Sequence, residues 1–247
     1  MTVHVVIPSR RVSSRLPDKA LADIGGTPMV VHVLRLAESA AVGDVCVATD
    51  DTAIASAIEA AGGKAELTRV DHTSGTDRAQ EVAARRKWPD NDVVVNVQGD
   101  EPLLPPALIS QVAELLLASD NADIATLATP LGGVHELTDP NVVKVVTDDS
   151  GRAMYFSRAP IPHGREDSAA AVTVARRHLG LYAYRVGVLH RLVQTPPATL
   201  EQLERLEQLR ALALGMTIVV ADAVRTPGPG VDTPDDLARV RQLVAGA

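Results

Sequence analysis

A chain of 247 residues with 46% hydrophobic side chains can bury the core of one α/β domain carrying an appended subregion. Its formal charge of −7 argues against nucleic acid as a partner, and no apolar run is long enough to span a membrane. No basic segment precedes the strand-like run after Met1, so no secretory signal is evident and a cytoplasmic location is expected.

Val3 to Ile7 is a short apolar run, expected to be a buried strand that Pro8 ends. A polar loop runs from Ser9 to Lys19, and Met29 to Ala40 has helical periodicity. A strand is expected over Asp44 to Ala48, with Cys46, the only cysteine, as a small core residue rather than a catalytic thiol. A helix follows over Thr52 to Ala61, stopped by Gly62-Gly63. Next come a strand (Ala65 to Thr68), a helix (Asp77 to Arg86) and a strand (Val93 to Val97). This alternation implies a doubly wound, mostly parallel α/β sheet, whose ligands bind beyond the carboxyl ends of the strands.

The second half changes character. Asp123 to Thr129, Val142 to Asp148 and Leu179 to Arg185 look like strands without a regular helix between each pair. Pro160, Pro162 and Gly164 punctuate a long connection. An antiparallel extension, roughly residues 130 to 190, is expected within a single domain spanning 1 to 247. Leu200 to Leu214 reads as one periodic helix, Ile218 to Ala221 as a strand and Pro234 to Val244 as a last helix.

Three segments carry candidate chemistry. The loop from Arg10 to Lys19 holds four cations, Arg10, Arg11, Arg15 and Lys19, at a strand's carboxyl end. Fixed cationic donors suit a triphosphate, and Ser13, Ser14 and loop amides add neutral donors. It is no Walker A loop, and a plain solvated basic loop is the alternative. The run Val93-Val94-Val95-Asn96-Val97-Gln98-Gly99-Asp100-Glu101-Pro102 ends a buried strand on two acids, which are hard oxygen ligands suited to magnesium. Asp232, in Gly230-Val231-Asp232-Thr233-Pro234, either caps the last helix or, if Thr233, Asp235 or Asp236 does so, is left for metal. Together a cationic loop and two carboxylates suit metal-assisted attack at phosphorus. No zinc spacing or serine triad is evident.

At these residues the sequence resembles the 3-deoxy-manno-octulosonate cytidylyltransferases, almost end to end from Val5 to about Arg241. The segments that carry the resemblance include Arg15-Leu16-Pro17-x-Lys19, Asp71-His72-x-Ser74-Gly75-Thr76-Asp77-Arg78, Asn96-Val97-Gln98-Gly99-Asp100-Glu101-Pro102 and Asn141-x-Val143-Lys144-Val145. Tyr155-Phe156-Ser157-Arg158, His178-Leu179-Gly180-Leu181-Tyr182-x-Tyr184-Arg185, Leu206-Glu207-Gln208-Leu209-Arg210 and Gly230-Val231-Asp232-Thr233-Pro234 complete the set. Each is weakly specific alone and highly specific in this order.

The resemblance implies a Rossmann-like fold of the nucleotide-diphospho-sugar transferase type, with the antiparallel extension serving dimerisation. It implies cytidylyl transfer from CTP to 3-deoxy-D-manno-octulosonate (KDO), with Mg2+ as cofactor, in a cytoplasmic homodimer that supplies lipopolysaccharide synthesis. Position by position, Arg10, Arg15 and Lys19 match triphosphate-binding residues, and Arg10, Lys19, Asp100 and Asp232 the catalytic set. The Ser74-Gly75-Thr76 turn matches a segment near the nucleoside, and Asp100 and Asp232 match the metal ligands. Arg78, Gln98, Arg158, His178, Tyr182, Glu207 and Gln208 match the sugar-acid site. Tyr182 and Tyr184 share a strand, and one of them is expected to face the core. Arg11 stands where the family usually has an aromatic residue, and 163–175 also departs from the family pattern. The alternatives are the same transfer to another acid, such as another sugar acid, amino-KDO or a phosphonate acid, and a silent nucleotide-binding protein.

Overall fold

The computed structural model describes residues 1–13, 15–166 and 168–246. Ser14, one of the expected neutral donors, lies outside the described residues. In chain order the strands are β1 (Val3–Ser9), β2 (Asp23–Ile24), β3 (Thr27–Pro28), β4 (Asp44–Thr49), β5 (Ala65–Leu67) and β6 (Val93–Asn96), then β7 (Ile124–Pro130), β8 (Lys144–Thr147), β9 (Ala153–Ser157), β10 (Arg176–Arg185) and β11 (Ile218–Asp222). The helices are α1 (Met29–Ser39), α2 (Thr52–Ala60), α3 (Gly75–Arg86), α4 (Pro106–Leu117), α5 (Val134–Thr138), α6 (Ser168–Val174), α7 (Val186–Gln194), α8 (Thr199–Glu204), α9 (Gln208–Ala213) and α10 (Pro234–Ala245).

The central sheet runs β11-β7-β10-β6-β1-β4-β5. Along that path every strand is parallel to its neighbour except β10, which is antiparallel to both β6 and β7. The period-two alternation of the strands sends successive side chains to opposite faces. Val5, Ile7 and Val95 therefore pack with α1, α2 and α4, while Val6, Cys46 and Val94 pack with α3, α7 and α9. Both faces are covered, as mostly parallel sheets require. Cys46 is buried in this core, and burial pushes its thiol up to about 12, which keeps it unreactive.

Several expectations need correction. Pro8 does not end the first strand, because β1 runs on to Ser9 along β4 while its pairing with β6 stops at Val6. Its missing N–H thus falls where one neighbouring strand has already run out. The Leu179 to Arg185 strand is no part of an outer extension, since its Tyr182–Tyr184 stretch pairs with both β6 and β7 in the middle of the sheet. Only β8 and β9 leave the main path, hung from the start of β10. Helices α4, α5, α6 and α7 and strands β2, β3 and β9 escaped the sequence reading. The helix expected over Leu200 to Leu214 is broken into α8 and α9 by Arg205, which adopts a left-handed φ of 54°. The core cluster takes Leu206 from the link and Leu209 from α9, whereas Leu200 and Leu203 of α8 stay exposed.

Candidate active site

The strand ends converge on Pro8. A Cβ on Gly75 would meet Pro8 Cγ at 2.8 Å, and one on Gly99 would meet the Pro8 carbonyl at 2.8 Å. Glycine at both positions lets the start of α3 and the loop after β6 close on the end of β1. They enclose a cavity of about 290 Å³ lined by Arg10, Ser13, Arg15, Lys19, Ser74, Gly75, Arg78, Gln98, Asp100 and Asp232. His72, quoted only as part of a motif, and Thr73, left unspecified within it, line the cavity too. Ser74-Gly75-Thr76 is not a free turn. Ser74 is the N-cap of α3 in a capping box with Asp77, so the segment is a helix N-terminus that lines the cavity through Ser74 and Gly75.

The floor is ionic. Lys19 Nζ lies 2.6 Å from Asp100 Oδ2 and 3.1 Å from Asp232 Oδ1. Arg15 Nη2 reaches Asp232 at 3.0 Å. Burial pulls the Lys19 ammonium down, but the two carboxylates outweigh it and the net shift is upward. Sequence left the role of Asp232 open, and the α10 cap decides it. Thr233 and Asp236 form that cap reciprocally. The Asp232 side chain is thereby released to Lys19, while the Val231 amide donates to the Asp100 carbonyl at 2.9 Å and ties the two acidic loops together. Glu101, half-buried beside Asp100, is pushed up to about 7, first by desolvation and then by that neighbouring charge.

Two carboxylates that already converge on one cation form a hard-oxygen set. Mg2+ takes one or two such carboxylates with phosphate oxygens and water, so the donor set fits it. Among the described residues no group of three or more His, Cys, Asp or Glu side chains is arranged to hold a metal ion.

Not every cation of the loop faces the cavity. Arg10 is exposed and lines it, whereas Arg11 turns away to Asp18 at 2.7 Å and Asp51, the α2 cap, at 3.2 Å. Its departure from the family's aromatic residue is thus met by two local acids. Arg78 lines the cavity but is committed within the chain, donating to Asp50 at 2.6 Å, Thr68 Oγ1 at 2.7 Å and the Arg69 carbonyl at 3.0 Å.

Beyond Gly75 and Gln98 a second chamber of about 150 Å³ opens, lined by Thr76, Asn96, Tyr182, Tyr184, Glu207 and Gln208 among others. The α8–α9 break matters here, because it places Glu207 at the N-cap of α9 and Gln208 at its first residue. Burial raises the Glu207 carboxyl above its ordinary range. Tyr182 and Tyr184 stack with ring centroids 5.5 Å apart, and both line the chamber. Tyr184 is buried in the core, as expected of one of the pair, and Tyr182 packs against the same core cluster, because residues two apart on a strand share a face.

His178 and Arg158 are not brought into either space. His178 backs the chamber through Tyr182, with ring centroids 5.2 Å apart. Thr126 Oγ1 lies 2.8 Å from the Leu181 carbonyl, 3.1 Å from that of Leu179 and 3.0 Å from His178 Nε2. A hydroxyl has one proton and carbonyls only accept, which assigns the donated proton of the histidine contact to Nε2. Burial holds the imidazole's pKa down to about 3, so it stays neutral. The Arg158 guanidinium brackets backbone instead, donating to the carbonyls of Glu204 at 2.7 Å and Pro140 at 2.9 Å. Lys144 completes this scaffold. Fully buried, it donates to the carbonyls of Val142 and Arg158 at 2.6 Å and Asp139 at 2.9 Å.

A cation-lined cavity with a two-carboxylate floor, opening on a polar chamber, accords with the sequence comparisons. Residues 4–218 match the family model described as cytidylyltransferase. A 3-deoxy-manno-octulosonate cytidylyltransferase of Pectobacterium carotovorum is 53% identical, over 99% of each chain. The chain belongs to the 3-deoxy-manno-octulosonate cytidylyltransferase family. A second family member, from Vibrio parahaemolyticus, is 51% identical over 99% of each chain. Among solved structures, a CMP:2-keto-3-deoxy-manno-octonic acid synthetase complexed with CTP superposes with a TM-score of 0.92 at 42% identity, covering 100% of this chain and 99% of that one. The family is one of nucleotidyltransferases, and the cavity around Lys19, Asp100 and Asp232 has the charge pattern that this chemistry needs.

Proposed function

We propose that this chain transfers CMP from CTP to the anomeric hydroxyl of KDO, releasing pyrophosphate and supplying CMP-KDO for lipopolysaccharide synthesis. The observation that carries the reading is the Lys19 ammonium seated between Asp100 and Asp232 beneath Arg10 and Arg15. Arg10, Arg15 and Lys19 hold the triphosphate and offset the charge that builds on the leaving pyrophosphate. Asp100 and Asp232 would hold Mg2+, which neutralises phosphate charge and makes the attacking hydroxyl more acidic. The amides at the start of α3 border the nucleoside. Gln98, which lines both spaces, positions the acceptor, while Tyr182, Glu207 and Gln208 meet its hydroxyls.

We propose further that the protein works as a homodimer in the cytoplasm. Exposed Met154 and Val174 flank a groove between the β8–β9 arm and α6, which supports pairing through the arm. No helix among the described residues is long and apolar enough to cross a membrane. Light scattering giving twice the chain mass supports the dimer, and the single-chain mass refutes it.

An acceptor screen tests the reaction. With CTP and Mg2+, KDO is expected to release pyrophosphate well above other sugar acids, amino-KDO and phosphonate acids. Release with another acid but not with KDO would overturn the choice of acceptor. EDTA should stop turnover and excess Mg2+ should restore it.

A further inference from the structure

We infer that Asn96 reads a hydroxyl of the acceptor, as a specificity-determining residue on the wall of the second chamber. The inference rests on the proposed cytidylyl transfer and assigns this asparagine a part in it. Asn96 ends β6 after three valines, Val93 to Val95. Asparagine is a poor strand former, so its place there is not explained by the sheet. Its side chain lines the chamber and is 1% exposed, yet among the described residues nothing hydrogen-bonds to its Oδ1. A buried, unmatched amide oxygen destabilises the free protein. The neighbours do not relieve it. Its cross-strand partner is Tyr182, and the one proton of the Thr126 hydroxyl already goes to a β10 carbonyl.

Position supplies the rest. Asn96, Gln98 and Asp100 follow one another at alternate residues from the end of β6, and line in turn the chamber, both spaces and the phosphate cavity. A ligand that reaches from the carboxylates into the chamber passes all three. The group that Oδ1 lacks is a donor, and a sugar acid carries donors as hydroxyls. A site with a buried unmatched acceptor rejects an analogue that lacks the matching O–H, because binding then seals the mismatch.

Asn96→Leu keeps the branching at Cγ and removes both polar atoms. The expected result is a KM for KDO raised about 10- to 100-fold with the KM for CTP within twofold. The melting temperature of the free protein should be unchanged or higher, since an unmatched polar group is removed. A KDO KM within twofold of wild type overturns the inference, and so does a lower melting temperature with both KM values raised, which marks a structural role. A ligand-side measurement on the wild type is independent of how the variant folds. Among singly deoxygenated KDO analogues, at least one should lose about 10-fold or more in kcat/KM on wild type, and equal sensitivity to none overturns the inference. Where Asn96→Leu folds, that same analogue should lose no more than KDO does, because the two deletions remove one contact. If wild type makes no CMP-KDO, the functional reading falls and this inference with it. If wild type makes CMP-KDO and the analogues are not discriminated, the inference alone falls.

Discussion

The two spaces of the site handle polarity in opposite ways. In the phosphate cavity each acid is matched by a cation of the same chain, with Lys19 between Asp100 and Asp232 and Arg15 on Asp232. In the chamber, Glu207 is half-buried with its pKa raised by desolvation, and Asn96 carries an oxygen unmatched among the described residues. The first space must exchange internal ion pairs for those of a ligand, so its affinity for a triphosphate depends on salt and metal. The second exposes little charge and is completed by the ligand's own hydroxyls. Electrostatics there can serve catalysis, and hydrogen-bond matching here can serve specificity.

The sharpest way to break this division is to remove one carboxylate. Asp100→Ala should lower kcat about 1,000-fold or more while CTP still binds weakly, as followed by pyrophosphate release and calorimetry. Asp232→Ala with full activity would refute the two-carboxylate floor. Lys144→Met comes next and acts on the scaffold beneath the chamber. It leaves three buried carbonyls without their ammonium, and urea unfolding should show a loss of about 3 kcal/mol.

Acid should also weaken the chamber's back wall. His178 is neutral when folded, with a pKa near 3, but takes up a proton near its ordinary value once unfolded. Between those two pH values the unfolded chain binds the extra proton. The stability tied to a neutral His178 is therefore present above about 6.5 and is lost as pH falls from there towards 3. The urea midpoint should fall with pH across that window, and His178→Gln should flatten the slope. Tyr182→Phe, deleting one chamber hydroxyl, should raise the KM for KDO about tenfold with CTP unaffected. The smallest effect is expected at Arg11. Arg11→Ala should change kcat/KM for CTP less than about threefold, because its exposed pairs with Asp18 and Asp51 point away from the cavity.

The same contrast governs what could be read from sequence. Charged residues at the ends of regular parallel strands were legible, since a doubly wound sheet gathers strand ends, and so Lys19, Asp100 and the loop of Arg10 could be placed together. Asp232 could not be placed by pattern, because 213 positions separate it from Lys19 and only the α10 cap reveals that its side chain is released. The chamber was far less legible. It depends on an antiparallel strand inserted mid-sheet and on a helix broken at Arg205 without glycine or proline to mark it. Asn96 gave only the weak signal of a poor strand former closing a valine run, because what distinguishes it most is a partner missing among the described residues. Arg78 and Arg158 were matched to the sugar-acid site, yet the fold commits them to Asp50 and to backbone carbonyls, a use of arginine that residue type does not disclose.

The central claim is attack at the α-phosphorus by the sugar acid. It is tested most directly by phosphorus NMR of wild-type protein with CTP, Mg2+ and KDO. The account predicts that the three CTP resonances give way to pyrophosphate and one phosphodiester bonded to the KDO anomeric oxygen. Release of inorganic phosphate with CDP, or pyrophosphate accompanied only by free CMP, would contradict it.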